Sequence, residues 1–94
     1  MTRPASSEAL LILGSKGKLK ILLFLSRVIE SNITRITRET GLHHSSVSRH
    51  LRELVEMGIV EERVIGRAKI YSLNYSNPKT LMILEVLRSL SNES

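Results

Sequence analysis

The sequence contains no cysteine and very few aromatic residues. Without cysteine the chain can form no disulfide, no thiolate metal site and no cysteine nucleophile. Aromatic residues are 3% of the chain while hydrophobic residues are 41%, so the core must consist of Leu, Ile and Val. A length of 94 residues predicts one domain spanning residues 1–94.

Long apolar runs are also missing. The longest, Ala9–Leu13 and Ile21–Leu25, have five residues each, whereas a membrane-spanning helix needs roughly 20. The polar residues 1–6 lack the apolar segment of a secretory signal, and we expect them to be disordered. The sequence therefore predicts a soluble, cytoplasmic protein that does not bind membranes.

Motifs for catalysis or metal binding are absent as well. The chain has no Gly-rich phosphate loop, no paired carboxylates and no nucleophile beside a recognisable base. Its only histidines are His43, His44 and His50, and two of them, His43 and His50, would lie roughly 10 Å apart along a helix. We therefore predict that the protein is not an enzyme, uses no cofactor and holds no metal ion.

Positive charge is what the chain has in excess. Lys and Arg number 14 against 9 Asp and Glu, which gives a net charge of +5 and a pI near 10.1. Such a balance favours polyanionic partners by long-range steering. Charge alone does not distinguish DNA from RNA or from an anionic lipid surface.

Apolar periodicity and glycine positions predict a mainly α fold with helices at both termini. Three lysines, Lys16, Lys18 and Lys20, lie near the start of the second helix, where positive charge is unfavourable. This placement indicates that they serve a partner outside the domain. The predicted helices cover residues 7–13, 17–31, 35–40, 44–57 and a last segment that begins at Pro78.

The third and fourth helices have the pattern of a helix-turn-helix. Thr34 is predicted to cap the third helix, and Gly41 permits the left-handed conformation that ends it. In the fourth helix the apolar residues follow helical spacing and form an inner stripe, which leaves a polar face outside. The stripe consists of Val47, Leu51, Leu54 and Val55.

The polar face of the fourth helix is suited to DNA, because the second helix of a helix-turn-helix enters the major groove. Arg49 is the expected base reader, since arginine binds guanine through two hydrogen bonds. Arg52 is placed for a phosphate, and Arg35 and Arg38 for the backbone beside the third helix. The short polar side chains that permit close approach are His44, Ser45, Ser46 and Ser48.

A β-hairpin is predicted next, in residues 59–74, which we call the wing. Its strands, Ile59–Ile65 and Ala68–Leu73, are joined by Gly66-Arg67, which suits a type II′ turn. Arg63, Arg67 and Lys69 are expected to contact the adjacent DNA backbone or minor groove. Tyr71 offers its hydroxyl to a phosphate or packs in the domain.

Residues 33–74 resemble the winged helix-turn-helix of the arsenic-repressor-like (ArsR) transcription regulators and their archaeal relatives. The resemblance implies a DNA-binding transcription regulator, although multiple-antibiotic-resistance-like regulators have similar segments. Metal-sensing ArsR members commonly use a cysteine-containing site, which this chain lacks, so the resemblance does not bring metal sensing with it. The matching segments are Ile36-Thr-Arg-Glu-Thr-Gly-Leu42, Ser46-Val-Ser-Arg-His-Leu-Arg-Glu-Leu54, Met57-Gly-Ile-Val-Glu-Glu-Arg63 and Gly66-Arg-Ala-Lys-Ile-Tyr-Ser-Leu73.

The terminal helices carry more apolar surface than one small domain can cover. Regulators of the resembled family dimerise through such helices, and a symmetric homodimer would bury the excess. The alternative is a monomer that holds these residues in its own core. The residues expected in a dimer interface are Leu10, Leu11, Leu13, Leu81, Leu84, Leu87 and Leu90, with residues 78–94 as the dimerisation helix.

The leading hypothesis is a sequence-specific regulator that binds double-stranded DNA as a homodimer. One alternative is a non-specific architectural or chromatin protein, which the basic pI favours. Another is a winged-helix module that binds proteins instead of DNA, which the acidic residues on the same surface favour. These residues are Glu39, Glu53, Glu56, Glu61 and Glu62. The sequence does not identify a small-molecule effector.

Overall fold

Helices and a single β-hairpin follow one another in the predicted order, which confirms the mainly α fold with a wing. A computed structural model describes the backbone of residues 7–91 and the side chains of residues 10–90. The expected disorder of residues 1–6 lies outside these described residues. The elements are α1 (Ser7–Leu13), α2 (Lys16–Ser26), α3 (Ile33–Thr40), α4 (His44–Glu56), β1 (Val60–Ile65), β2 (Ala68–Leu73) and α5 (Pro78–Ser91).

The α2 helix is the centre of the domain, as its apolar sequence predicted. It packs against α1, α3, α4, α5 and β2. Ile21, Leu22 and Leu25 of α2 are completely buried, and they meet aliphatic side chains from every other helix. Removing this apolar surface from water is the main force that holds the elements together. The partners of α2 in the core include Ile12, Ile36, Val47, Leu51, Leu54, Ile59 and Ile83.

The α2 helix ends at Ser26, so the prediction that it continues to Ser31 was wrong. The backbone of Ser31 instead pairs with that of Tyr71, through N–H to O distances of 2.9 and 2.8 Å in the two directions. These two hydrogen bonds require an extended chain. Ile29, which looked like part of a buried helix, is 89% exposed. A long-range backbone pairing therefore overrides the local helical pattern.

The α3 helix begins at Ile33, two residues earlier than predicted, because Asn32 and not Thr34 caps it. The Asn32 side chain accepts the backbone N–H of Arg35 at 2.9 Å. Such a cap contributes about 1 kcal/mol to helix stability. Gly41 ends α3 with a φ of 72°, the left-handed conformation expected from the sequence. The turn to α4 is consequently short and fixed.

The hairpin has the predicted register and turn. Val60 pairs with Leu73 and Ile65 with Ala68, which leaves a two-residue connection. Gly66 has a φ of 63°, while Arg67 has a negative φ, as a type II′ turn requires. The strand begins one residue later than predicted, because the N–H of Ile59 donates to the Leu54 carbonyl at the end of α4.

The α5 helix is anchored to the corner between α4 and β1. The side-chain amides of Asn74 and Asn77 both donate to the Gly58 carbonyl, at 2.9 and 3.0 Å. Thr80 is buried beside Ile59 in the first turn of α5. None of the helices in residues 7–91 is long and apolar enough to cross a membrane.

Candidate nucleic-acid interface

The outer face of α4 presents the polar residues that the sequence selected. Burial of Val47, Leu51 and Leu54 in the core fixes the rotation of this helix. Because the far side of the helix points away from the core, most of the expected DNA-contacting side chains reach the surface. His44, Ser45, Ser48, Arg49 and Arg52 are exposed, and Ser46 is half-buried.

The wing and α4 share two grooves, and Ser48 lines both of them. One groove is bordered by Ser48, Arg67 and Lys69 together with the start of α3. The other is bordered by Ser48, Arg52 and Lys69, together with Glu56 and Glu62. The structure thus brings one serine of α4 and two basic side chains of the wing to a common surface. Asn32 and Thr34 also line the first groove, although neither was predicted to contact DNA.

Arg63 does not belong to this surface. In the register of the hairpin Arg63 is opposite Ile70, whereas Lys69 is opposite Val64. Side chains alternate between the two faces of a strand, so Arg63 and Lys69 lie on opposite faces of the wing. The Arg63 guanidinium forms an ion pair with Glu30. The structure therefore separates Arg63 from the other predicted contacts.

Tyr71 packs into the domain, which was one of the two roles expected for it. Its side chain is buried at the base of the wing. Burial, followed by a hydrogen bond and the negative charge of Glu62, raises the pKa of Tyr71 to about 12. The hydroxyl is therefore protonated at neutral pH and directed at a carboxylate of its own hairpin.

The two arginines of α3 are exposed but differ in their contacts. The Arg35 guanidinium lies over the Phe24 ring of α2, 5.4 Å from its centroid, in a cation–π arrangement. Arg38 lies 3.8 Å from the carboxylate of Glu39, its neighbour in sequence. Both arginines keep exposed surface that a DNA backbone could contact.

Behind α4, the Lys18 side chain of α2 is buried in a polar cluster with His50 and Glu53. Its Nζ lies 2.6 Å from Oε1 of Glu53 and 3.1 Å from Nδ1 of His50. The prediction that this lysine serves an outside partner was therefore wrong for Lys18. Lys16 and Lys20 do remain exposed. No sequence signal marks the pair, because its members lie 35 positions apart.

The polar cluster shifts the pKa values of both acidic and basic members of α4. The hydrogen bond and charge of Lys18 lower the pKa of Glu53, so this carboxylate stays ionised. Burial, and then the charges of Lys18 and Arg49, lower the pKa of His50 below 6.5. At neutral pH the cluster therefore contains an ammonium, a carboxylate and an uncharged imidazole.

The predicted dimer residues divide into exposed and buried members. Leu87 is only 8% exposed and belongs to the chain's own core, and Leu84 packs against that core. Leu13 is half-buried. Met82 is a large exposed apolar residue that the sequence analysis did not select. The remaining predicted residues are largely exposed: Leu10 (59%), Leu11 (64%), Leu81 (51%) and Leu90 (62%).

Metal donors do not converge in the part of the chain that the structure describes. No group of three His, Asp or Glu side chains among these residues could hold a metal ion. His43 and His44 lie exposed at the start of α4. The donor set of a metal sensor is therefore not found among the described residues.

Together, α3, the Gly41 turn, α4 and the hairpin define a winged helix-turn-helix protein of the DNA-binding type. The family model described as "Bacterial regulatory protein, arsR family" matches residues 15–62, more than half of the chain, and the chain belongs to this family. The protein is thus a DNA-binding transcription regulator, and the family resemblance seen in the sequence is confirmed. No curated protein sequence matches the chain.

Solved structures of other proteins share this fold. The antimony-specific transcriptional repressor AntR superposes with a TM-score of 0.78 at 23% identity, over 92% of this chain and 76% of that one. The transcriptional repressor PagR of Bacillus anthracis has a TM-score of 0.71 at 30% identity, over 86% and 90%. HlyU from Vibrio cholerae N16961 has a TM-score of 0.70 at 26% identity, over 87% and 91%.

Proposed function

We propose that this regulator binds a specific site in double-stranded DNA as a homodimer. The α4 helix would enter the major groove, and the wing would contact the adjacent backbone or minor groove. The observation that carries this proposal is the shared surface on which Ser48, Arg67 and Lys69 meet. Such a surface allows one duplex to contact the helix and the hairpin at the same time.

The contacts that the arginine side chains make within the chain support different roles for them in DNA binding. Within the described residues, the side chains of Arg49, Arg52 and Arg67 have no ion-pair or hydrogen-bond partner, in contrast to that of Arg63. A free guanidinium on the outer face of α4 can form two hydrogen bonds with guanine. We therefore assign base reading to Arg49, and phosphate contacts to Arg52 and Arg67.

The exposed leucines of the terminal helices support the homodimer. The α1 and α5 helices pack together and leave large apolar side chains uncovered. A twofold interface would bury these side chains and present two α4 helices to successive major grooves, roughly 34 Å apart. The expected DNA site is consequently a palindrome with half-sites about one helical turn apart.

Binding to duplexes selected from a random library tests this proposal. The dissociation constants for a selected duplex and a random duplex are measured at about 50 and 200 mM salt. We expect the selected duplex to bind at least about a thousandfold more tightly at the higher salt concentration. Equal affinities would indicate a non-specific architectural protein, and no binding would indicate a protein-interaction module.

A non-specific DNA-binding role is the alternative that the net charge of +5 favours. The protein-interaction module receives less support from the structure than from the sequence. Of the five glutamates that favoured it, Glu39, Glu53 and Glu62 have partners within the chain. Glu39 and Glu53 are paired with cations, so their charges oppose DNA less than the sequence indicated.

We further propose that the protein acts in the cytoplasm by binding alone, without catalysing a reaction. Membership of a regulator family supports this view. The site consists of exposed basic and hydroxyl side chains on α4 and the wing, which can bind phosphates and base edges. Incubation with labelled duplex, followed by analysis of the recovered DNA, would reveal any chemical change.

A further inference from the structure

The polar cluster of Lys18, His50 and Glu53 joins the central helix to one side of α4, where His50 and Glu53 are partly exposed. Lys18 belongs to the buried residues of the domain, with 8% of its surface exposed. A buried ammonium is tolerated only when charged or polar partners surround it. Here both partners come from α4, and both contacts are within hydrogen-bond distance, 2.6 and 3.1 Å.

The positions of the two partners on α4 connect the cluster to the DNA-contacting face. His50 and Glu53 are three residues apart, so they share one side of the helix. Arg49 and Arg52 immediately precede them, about 100° round the helix axis. A rotation of α4 that breaks the contacts of Lys18 therefore moves both arginines together. Gly17 lets the His50 ring lie against α2, because a Cβ at position 17 would collide with the ring.

We propose that Lys18 is a positioning residue for DNA recognition, which sets the rotation of α4 and thereby the direction of Arg49 and Arg52. This inference rests on the proposed function, because it assumes that the outer face of α4 reads DNA. It adds a residue that is buried and lies outside the surface shared by α4 and the wing. If Lys18 sets the rotation of α4, its replacement should reduce the preference for the specific DNA site, rather than weaken binding to all DNA equally.

The cluster also makes DNA recognition depend on pH. The Lys18 ammonium has only donors, so Nδ1 of His50 must act as the acceptor and carry no proton. Protonation of the ring removes this acceptor and places a second positive charge beside the ammonium. The charged groups that act on the ring are Lys18 from α2 and, on α4 itself, Arg49 and Glu53. Acidification therefore breaks the contact between Lys18 and His50.

The test compares Lys18→Met with Lys16→Met, which removes the same charge from an exposed position of the same helix. Dissociation constants are measured for a selected and a random duplex at constant ionic strength, and their ratio is the specificity ratio. Lys18→Met should lower this ratio about tenfold, while Lys16→Met should leave it unchanged. An unchanged ratio in a folded Lys18→Met protein would overturn the inference.

A pH series provides the second measurement and does not depend on the stability of a variant. The specificity ratio of the wild type should fall as the pH is lowered below about 6.5, whereas that of His50→Gln should stay level, because the amide oxygen still accepts from Lys18. His43→Gln should behave as the wild type. A wild-type ratio that does not change with pH, or a His50→Gln ratio that falls like it, would overturn the inference.

Failure of the proposed function is recognised separately. A wild-type protein that binds no duplex, or binds all duplexes equally, contradicts sequence-specific binding itself and with it the role of Lys18. A wild type that is specific, accompanied by a Lys18→Met protein that is equally specific, contradicts the positioning role alone.

Discussion

Removing the apolar stripe of α5 should dissociate the proposed homodimer. Met82, Val86 and Leu90 recur every four residues, so they form one stripe along the helix. Met82 is 44% exposed and Leu90 is 62% exposed in the single chain. The substitution pair Met82→Ser and Leu90→Ser removes this apolar surface without touching the core. Leu87 cannot serve the same purpose, because it is buried and a charge there would unfold the domain.

The exposed fractions give the expected size of the effect. Complete burial of a Leu or Met side chain contributes about 1.5–3 kcal/mol. About half of each side chain is still exposed, which leaves about 1 kcal/mol for each residue to gain at an interface. A twofold interface contains each residue twice, so the double variant should lose about 4 kcal/mol of association energy. The dissociation constant of the dimer should then rise about a thousandfold.

Sedimentation over a range of protein concentrations measures this change. The control is Ile29→Ser, since Ile29 is 89% exposed and lies between α2 and α3, away from the terminal helices. We expect the control to dimerise as the wild type does. The reasoning would be refuted by a monomeric wild type, or by a double variant whose dimer is as stable as that of the control.

Three further predictions follow from the site. Arg49→Ala should weaken binding to the selected duplex by about 1–3 kcal/mol and leave the random duplex nearly unaffected, as titrations of both would show. Arg67→Ala should weaken binding to all duplexes and lower the salt slope by about one, whereas Arg63→Ala should leave the slope unchanged. The free energy of unfolding in urea should decrease as the pH falls below 6.5, because the unfolded chain protonates His50 more readily than the folded one. The contribution of Glu53 is complete above its ordinary pKa of 4.5 and is lost as the pH falls through its lowered folded value. A stability that stays constant from neutral pH to about pH 4 would contradict this account.

The helix-turn-helix was predictable because its signals are local. The spacing of Val47, Leu51 and Leu54 fixes which side of α4 is buried, and Gly41 marks the turn before it. The same periodicity therefore selects the outer polar face. The side of the hairpin on which Arg63 lies could also have been predicted from the sequence. A two-residue turn at Gly66 sets the register of the whole hairpin.

What could not be predicted depends on contacts between distant segments. The end of α2 is decided by the pairing of Ser31 with Tyr71, 40 positions further along the chain. The burial of Lys18 depends on Glu53, which belongs to another helix. The spacing of residues within one helix reveals neither the end of α2 nor the burial of Lys18, because both depend on contacts with other elements.

The pairing of Ser31 with Tyr71 uses backbone atoms alone, and this has a consequence for how such regulators can be altered. Backbone hydrogen bonds do not depend on side-chain identity, so a hairpin taken from another regulator could dock on the same extended segment. Only the residues that enter the core at the base of the wing, such as Leu73, would have to keep their size. The turn and the outer half of the hairpin are thus an exchangeable part, through which contacts outside the major groove could be varied independently of α4.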